Sequence, residues 1–145
     1  MIDETLLKVV NFNGIGYQPV VDYEGWRVAF LRYHPELLPE NITHMQRHDT
    51  TDEVFVLLEG NCILLIGEGK DEVDTIYAVD MQPFQIYNVK CGCWHSHTLS
   101  EDARVMIVEN RDTSDLNSPK RNLSPQQCDF IINETRALRK ESQNT

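Results

Sequence analysis

From Tyr17 to Glu109 the chain is a succession of short apolar runs, each closed by a turn signal. A helical bundle would instead repeat its apolar positions at a period near 3.6 over ten or more residues, so the pattern predicts an all-β sandwich or barrel. The runs place strands at Tyr17–Asp22, Trp26–Tyr33, Ile42–His48, Glu53–Leu58, Cys62–Ile66, Thr75–Val79, Phe84–Val89, Trp94–Leu99 and Arg104–Glu109. Turns fall at Tyr23-Glu24-Gly25, Glu59-Gly60-Asn61, Gly67 to Glu72 and Ser100-Glu101-Asp102. Two strands constrain the fold further. Glu53–Leu58 sets Phe55 and Leu57 on the Glu53 face and Val54, Val56 and Leu58 on the other, and Ile63–Ile66 is apolar throughout. A sheet with one wet face would alternate, so the outer sides of these strands need a cover.

The polar stretch from Arg111 to Leu123 reads as a surface wrap. After it, Ser124-Pro125-Gln126-Gln127 combines an N-cap serine, a proline at the first helical position and a glutamine that completes a capping box. Cys128, Ile131, Ile132, Thr135 and Leu138 then form one apolar stripe, which predicts a helix that covers an open end or face of the barrel. The expected organisation is one domain over 1–145, with a barrel core at about 17–110, the wrap at 111–123 and the helix at 124–140. That helix covers part of the outer apolar surface, and a second copy of the chain is the other expected cover.

The chain carries 23 acidic and 13 basic residues, a formal charge of −10. Such a field repels phosphate backbones and anionic lipid, so neither nucleic acid nor a membrane is an expected partner. The first eight residues have no basic stretch followed by an apolar one, and no run approaches membrane-spanning length. The expected location is cytoplasmic, with Cys62, Cys91, Cys93 and Cys128 as reduced thiols. The Cys91-Gly92-Cys93 spacing has no second pair nearby and is a weak metal signal.

The chemistry-bearing residues lie in two short stretches. His44, Gln46 and His48 alternate along one strand, and Glu53 follows after four residues. Neighbouring strands lie about 4.8 Å apart, so His48 and Glu53 can converge on one point inside a barrel. Some forty residues later, His95 and His97 offer two more imidazoles on one strand face. Imidazoles with a carboxylate suit first-row divalent ions and leave coordination positions open. A single histidine in a β protein is more often a hydrogen-bonded structural residue. Here four of five histidines cluster beside a glutamate. Trp94, Tyr87, Tyr33 and Arg104 could contact a ligand, but no spacing selects them.

These residues resemble the two motifs of the cupins. His48, the four-residue gap, Glu53, the six-residue gap and Gly60 match the latter part of the first motif. Gly92, a two-residue gap and His95 match the second. Departures are Gln46 in place of the first HxH histidine, Lys90 in place of a proline and Leu99 in place of an asparagine. The resemblance covers roughly Ile42 to Glu109 and implies a cupin-type double-stranded β-helix, a jelly-roll barrel, with the C-terminal helix appended. It also implies one divalent ion per chain (Fe, Mn, Zn, Ni or Co) on His48, Glu53 and His95, with Gln46 at the fourth ligand position. His44 is then a candidate acid/base and His97 a candidate neighbour of the ion. A homodimer and a small-molecule ligand are the expected partners. The function expected is metal-dependent catalysis on a small oxygenated substrate, of dioxygenase, isomerase or lyase type. The alternatives are a non-catalytic ligand-binding module and a structural homodimer with a vestigial site.

Overall fold

Alternation along the chain resolves into two five-stranded antiparallel sheets. In the computed structural model, which describes residues 1–145, the first sheet runs β1 (Tyr17–Tyr23), β2 (Trp26–Arg32), β9 (Arg104–Asn110), β4 (Glu53–Glu59), β7 (Tyr87–Val89). The second runs β10 (Lys120–Asn122), β3 (His44–Gln46), β8 (Trp94–Leu99), β5 (Cys62–Gly67), β6 (Ile76–Asp80). Between them lies a core of Ala29, Leu31, Phe55, Leu57, Cys62, Leu64, Leu99, Val105 and Ile107, drawn from the inward faces of both sheets. Together with the C-terminal helix α1 (Pro125–Gln143), this is an all-β jelly roll of the cupin type.

The two-sided apolarity of β5 has its explanation in α1. The serine cap and capping box form as the sequence dictates, with the Gln127 amide nitrogen donating to the Ser124 side chain at 3.2 Å and the Ser124 amide to Gln127 at 2.9 Å. The helix then lies on the outer side of the second sheet. Ile131 is fully buried there with Ile42, Met45, Ile63, Leu65, Ile76 and Trp94, a second core separate from the first. Arg139 donates to the Thr98 hydroxyl at 3.3 Å and Ser142 to Asp80 at 2.8 Å, which ties the far end of the helix to β8 and β6.

Nothing in the chain does the same for β4. Its outward Val54 and Val56 extend a continuous apolar surface through cross-strand neighbours. Val28, Val108 and Val54 make one row and Phe30, Met106 and Val56 another. All six are only half-buried.

Several elements differ from the sequence reading. The strand expected at Ile42–His48 is three residues long and ends at Gln46. Beyond it the amides of Arg47 and Asp49 donate to the carbonyls of Pro119 and Asn117 at 3.1 and 3.0 Å, so His48 sits in a stretch held by a loop. That loop belongs to the supposed wrap, which instead supplies β10 beside β3. A three-residue polar edge strand has no alternation to read. The strand expected at Phe84–Val89 shortens to Tyr87–Val89, because Phe84 takes a left-handed conformation (φ 62) just after Pro83.

Candidate metal centre

Glu53 opens β4 facing inward, on the same side as Phe55 and Leu57. His95 faces inward from β8, directly across from Gln46 on β3. His48 reaches the same point from the loop after β3. Two turns bring these segments into register. At Gly60 the backbone is left-handed (φ 70), and a β-carbon there would meet the Ala103 backbone at 2.6 Å, so the turn after β4 requires glycine. At Gly92 (φ 79) the amide donates to the His48 carbonyl at 2.8 Å, which joins the two histidine-bearing segments directly. Asp52 strengthens that junction by accepting from Lys90, Asn88 and the Cys91 amide at 2.9, 3.0 and 2.8 Å. Those bonds hold its carboxyl down at about 2.

The result is a buried group of three. His48 Nε2 lies 2.9 Å and His95 Nε2 2.8 Å from the same oxygen, Glu53 Oε2, and all three ligand atoms lie within 4.8 Å of one another. No cysteine belongs to the group. The other nitrogen of each ring is engaged. His95 Nδ1 donates to the Cys93 carbonyl at 3.0 Å, and His48 Nδ1 lies 2.7 Å from the Ser118 hydroxyl. Since a carbonyl only accepts, His95 carries a proton on Nδ1, and a neutral ring then turns the lone pair of Nε2 toward Glu53. A lone pair facing a carboxylate at 2.8 Å requires a positive centre between them, either a proton or a metal ion. The donor set therefore fits a first-row divalent cation.

Electrostatics agree. Burial would raise the Glu53 carboxyl, but hydrogen bonds and charge from His48 and His95 outweigh it and hold it far below the ordinary carboxylate range. Burial would lower His48, and Glu53 reverses this to a net rise above 6.5. A metal ion must therefore displace a proton that His48 holds more tightly than usual. Binding is expected to release protons near neutral pH and to weaken as pH falls through the raised His48 value. Calorimetric titration of zinc in buffers of different ionisation enthalpy measures that release.

The triad lies on the wall of a cavity of about 320 Å³. Gln46 and His97 line it, as do Tyr17, Arg27, Glu109, Thr113, Ser114 and Ser118. A larger groove of about 390 Å³ lies between the end of α1 and the strands, lined by Tyr33, Asp80 and Arg139, and holds none of the triad. The chemistry selects the smaller one. Gln46 Nε2 donates to the Ser118 carbonyl at 3.3 Å, so the amide oxygen is what it offers. Gln46→Ala is expected to weaken zinc binding by no more than about tenfold, the lower end of losses for an outer hydrogen-bond partner. A competition titration checks it. His97 lines the cavity with its Nδ1 enclosed, and burial pushes it down to about 4, so it is neutral. His44 is exposed, opposite Asn122, and lies outside the lining. Cys91 is exposed and Cys93 half-buried. The Cys91→Ser/Cys93→Ser double variant is expected to keep its full metal content by elemental analysis.

Sequence reasoning missed Ser118, Asp52, Glu109, Tyr17 and Arg27. For one of them a signal existed. Val105, Ile107 and Glu109 alternate along β9, so a carboxylate shares the inward face of two core residues. Tyr17 donates to Glu109 Oε1, and Arg27 Nη1 approaches the same oxygen at 4.0 Å. Burial and the nearby Glu53 charge push the Glu109 carboxyl up, against the Tyr17 hydrogen bond.

No protein-family model and no curated protein matches the sequence. Solved structures do. A cupin-2 domain protein from Shewanella frigidimarina is 19% identical, with 69% of this chain and 85% of that chain covered and a TM-score of 0.50. Pac13 from Streptomyces, described as a nucleoside dehydratase, is 9% identical over 80% of this chain and 87% of its own, at 0.53. The capsular polysaccharide assembling protein CapF from Staphylococcus aureus is 16% identical over 85% of this chain and 34% of its own, at 0.53. The fold is thus that of cupins, a fold on which enzymes such as Pac13 are built. At these identities the likeness concerns the fold alone, and what the site does rests on its own residues.

Proposed function

We propose that this protein is a metal-dependent cupin enzyme, with one divalent ion held by His48, Glu53 and His95 and a small oxygenated substrate bound in the adjoining cavity. The observation that carries the reading is the convergence of two oriented imidazole nitrogens on one buried carboxylate oxygen. A proton held between a ring and Glu53 also fits this geometry, and the metal content of the protein tells the two apart. An ion here supplies Lewis-acid activation of a substrate oxygen or, with a redox metal, electron transfer. The chain's own groups do the rest. Ser118 and the Cys93 carbonyl fix the rings, Gln46 presents an amide oxygen beside them, and His97 offers a neutral imidazole. His44, exposed outside the cavity, has no part in this arrangement.

The second element of the proposal is a homodimer formed through the outer apolar face of the first sheet, the surface that α1 leaves uncovered. Elemental analysis of untagged protein, with thermal melts across manganese, iron, cobalt, nickel and zinc, tests the enzyme reading. The expected result is one ion per chain and a rise in melting temperature. No ion bound and no rise with any of the five would remove it. No helix is long and apolar enough to cross a membrane.

A further inference from the structure

We infer that the cavity wall beside the triad recognises hydroxyl groups, so that the substrate is a neutral, polyhydroxylated molecule rather than a carboxylate or a phosphate. The inference rests on the reading of the cavity as a substrate site and narrows its chemistry.

Its first support is Glu109, with only 3% of its side chain exposed. Tyr17 occupies Oε1, whereas Oε2 is enclosed and has no hydrogen-bond partner. A buried acceptor left unpaired is costly, and it calls for an O–H or N–H donor. Strand register places this oxygen's residue beside the triad. Val108 pairs with Val54, so Glu109 and Glu53 are the next inward neighbours across β9 and β4. From the other sheet, His97 Nδ1 is likewise enclosed without a partner and lines the same cavity. A hydroxyl both donates and accepts, so it satisfies the Glu109 carboxyl and the enclosed His97 nitrogen in either role. A carboxylate or phosphate ligand brings acceptors only and would set them against the adjoining carboxyls of Glu53 and Glu109.

Charge gives an independent support. Three carboxyl groups line the cavity, those of Glu53, Glu109 and Asp115, against one guanidinium, that of Arg27. Arg27 is already engaged by Asp22 at 3.3 Å, the Thr113 carbonyl at 3.4 Å and Glu109 at 4.0 Å. Lys120, which pairs with Asp115 at 3.5 Å, is not in the lining. The remaining polar lining, Gln46, Thr113, Ser114 and Ser118, is neutral. At about 320 Å³ the space sits at the small end of ligand cavities, suited to a sugar-sized molecule.

The test is saturation-transfer NMR with ribose and xylitol against pyruvate and malonate, on zinc-loaded and on metal-free full-length protein. Both neutral probes are expected to bind more tightly than both anions. Glu109→Gln, which keeps the shape of the side chain but replaces a carboxyl oxygen by an amide, is expected to weaken ribose and xylitol about tenfold or more in the zinc-loaded and in the metal-free protein alike. If Glu109→Gln does not fold by circular dichroism, Glu109→Asp, which withdraws the carboxylate by one methylene, is expected to show the same loss. Tighter binding of the anions, no binding of either neutral probe in either form, or wild-type ribose binding in a folded Glu109 variant overturns the inference. Absence of zinc binding defeats the metal reading alone. In that event Glu109-dependent ribose binding by the metal-free protein still upholds the hydroxyl-recognising wall.

Discussion

Glu53→Gln is expected to abolish stoichiometric metal binding while leaving the barrel folded. The substitution keeps the shape of the side chain and removes its charge. Glu53 Oε2 is the atom on which both histidines converge, and its carboxylate supplies the anionic ligand of an otherwise neutral set. Loss of that ligand should cost well over the roughly 10–100-fold that follows from losing an outer hydrogen-bond partner. The fold should survive, because Phe55 and Leu57 on the same face of β4 still fill the core. Because His48 and His95 hold the Glu53 carboxyl below its ordinary range, the metal-free variant is expected to be less stable than wild type near neutral pH while still folded. Calorimetric titration of zinc beside a urea melt of the metal-free protein separates the two effects. Retention of wild-type zinc affinity would mean that the ion, if bound, sits elsewhere.

Paired Val56→Lys and Val108→Lys substitutions are expected to convert a dimer into a folded monomer. Both residues face outward from the first sheet, within the two rows that join Val28, Val108 and Val54 and then Phe30, Met106 and Val56. An extended apolar sheet face of this kind commonly marks an association surface, and a two-fold self-contact is the commonest way to bury one. Lysine at these half-buried positions can lay its stem on the sheet and reach solvent in a monomer, but costs a great deal in a dry interface. Light scattering should give twice the chain mass for wild type and the chain mass for the variant, with unchanged far-ultraviolet dichroism. A wild-type monomer at micromolar concentration would refute the assembly.

The triad was legible because its spacing is local. The gaps from His48 to Glu53 and from Gly92 to His95 are fixed by turns that a sequence shows directly. Helix α1 was legible for the same reason, its cap and its apolar stripe both being short-range patterns. The two-sided apolarity of β4 and β5 also announced that a cover was needed, though not which one. Only the packing of Ile131 against Ile63 and Leu65 assigns the helix to β5 and leaves β4 bare. What escaped were long-range partners. Ser118 meets His48 from seventy residues away through a polar loop without periodicity. Tyr17 meets Glu109 across ninety-two residues. His44 shows the opposite failing. Period-two alternation put it on the face of Gln46, but a face on a three-residue strand does not specify depth, and the ring ends at the surface.

The most direct test of the metal centre is a crystal structure of zinc-loaded protein with anomalous data collected at the zinc edge. One strong anomalous peak per chain is expected within about 2.0–2.2 Å of His48 Nε2, His95 Nε2 and a Glu53 oxygen. A zinc-soaked crystal with no peak between those three atoms, and His48 and His95 still in contact with Glu53, would contradict it.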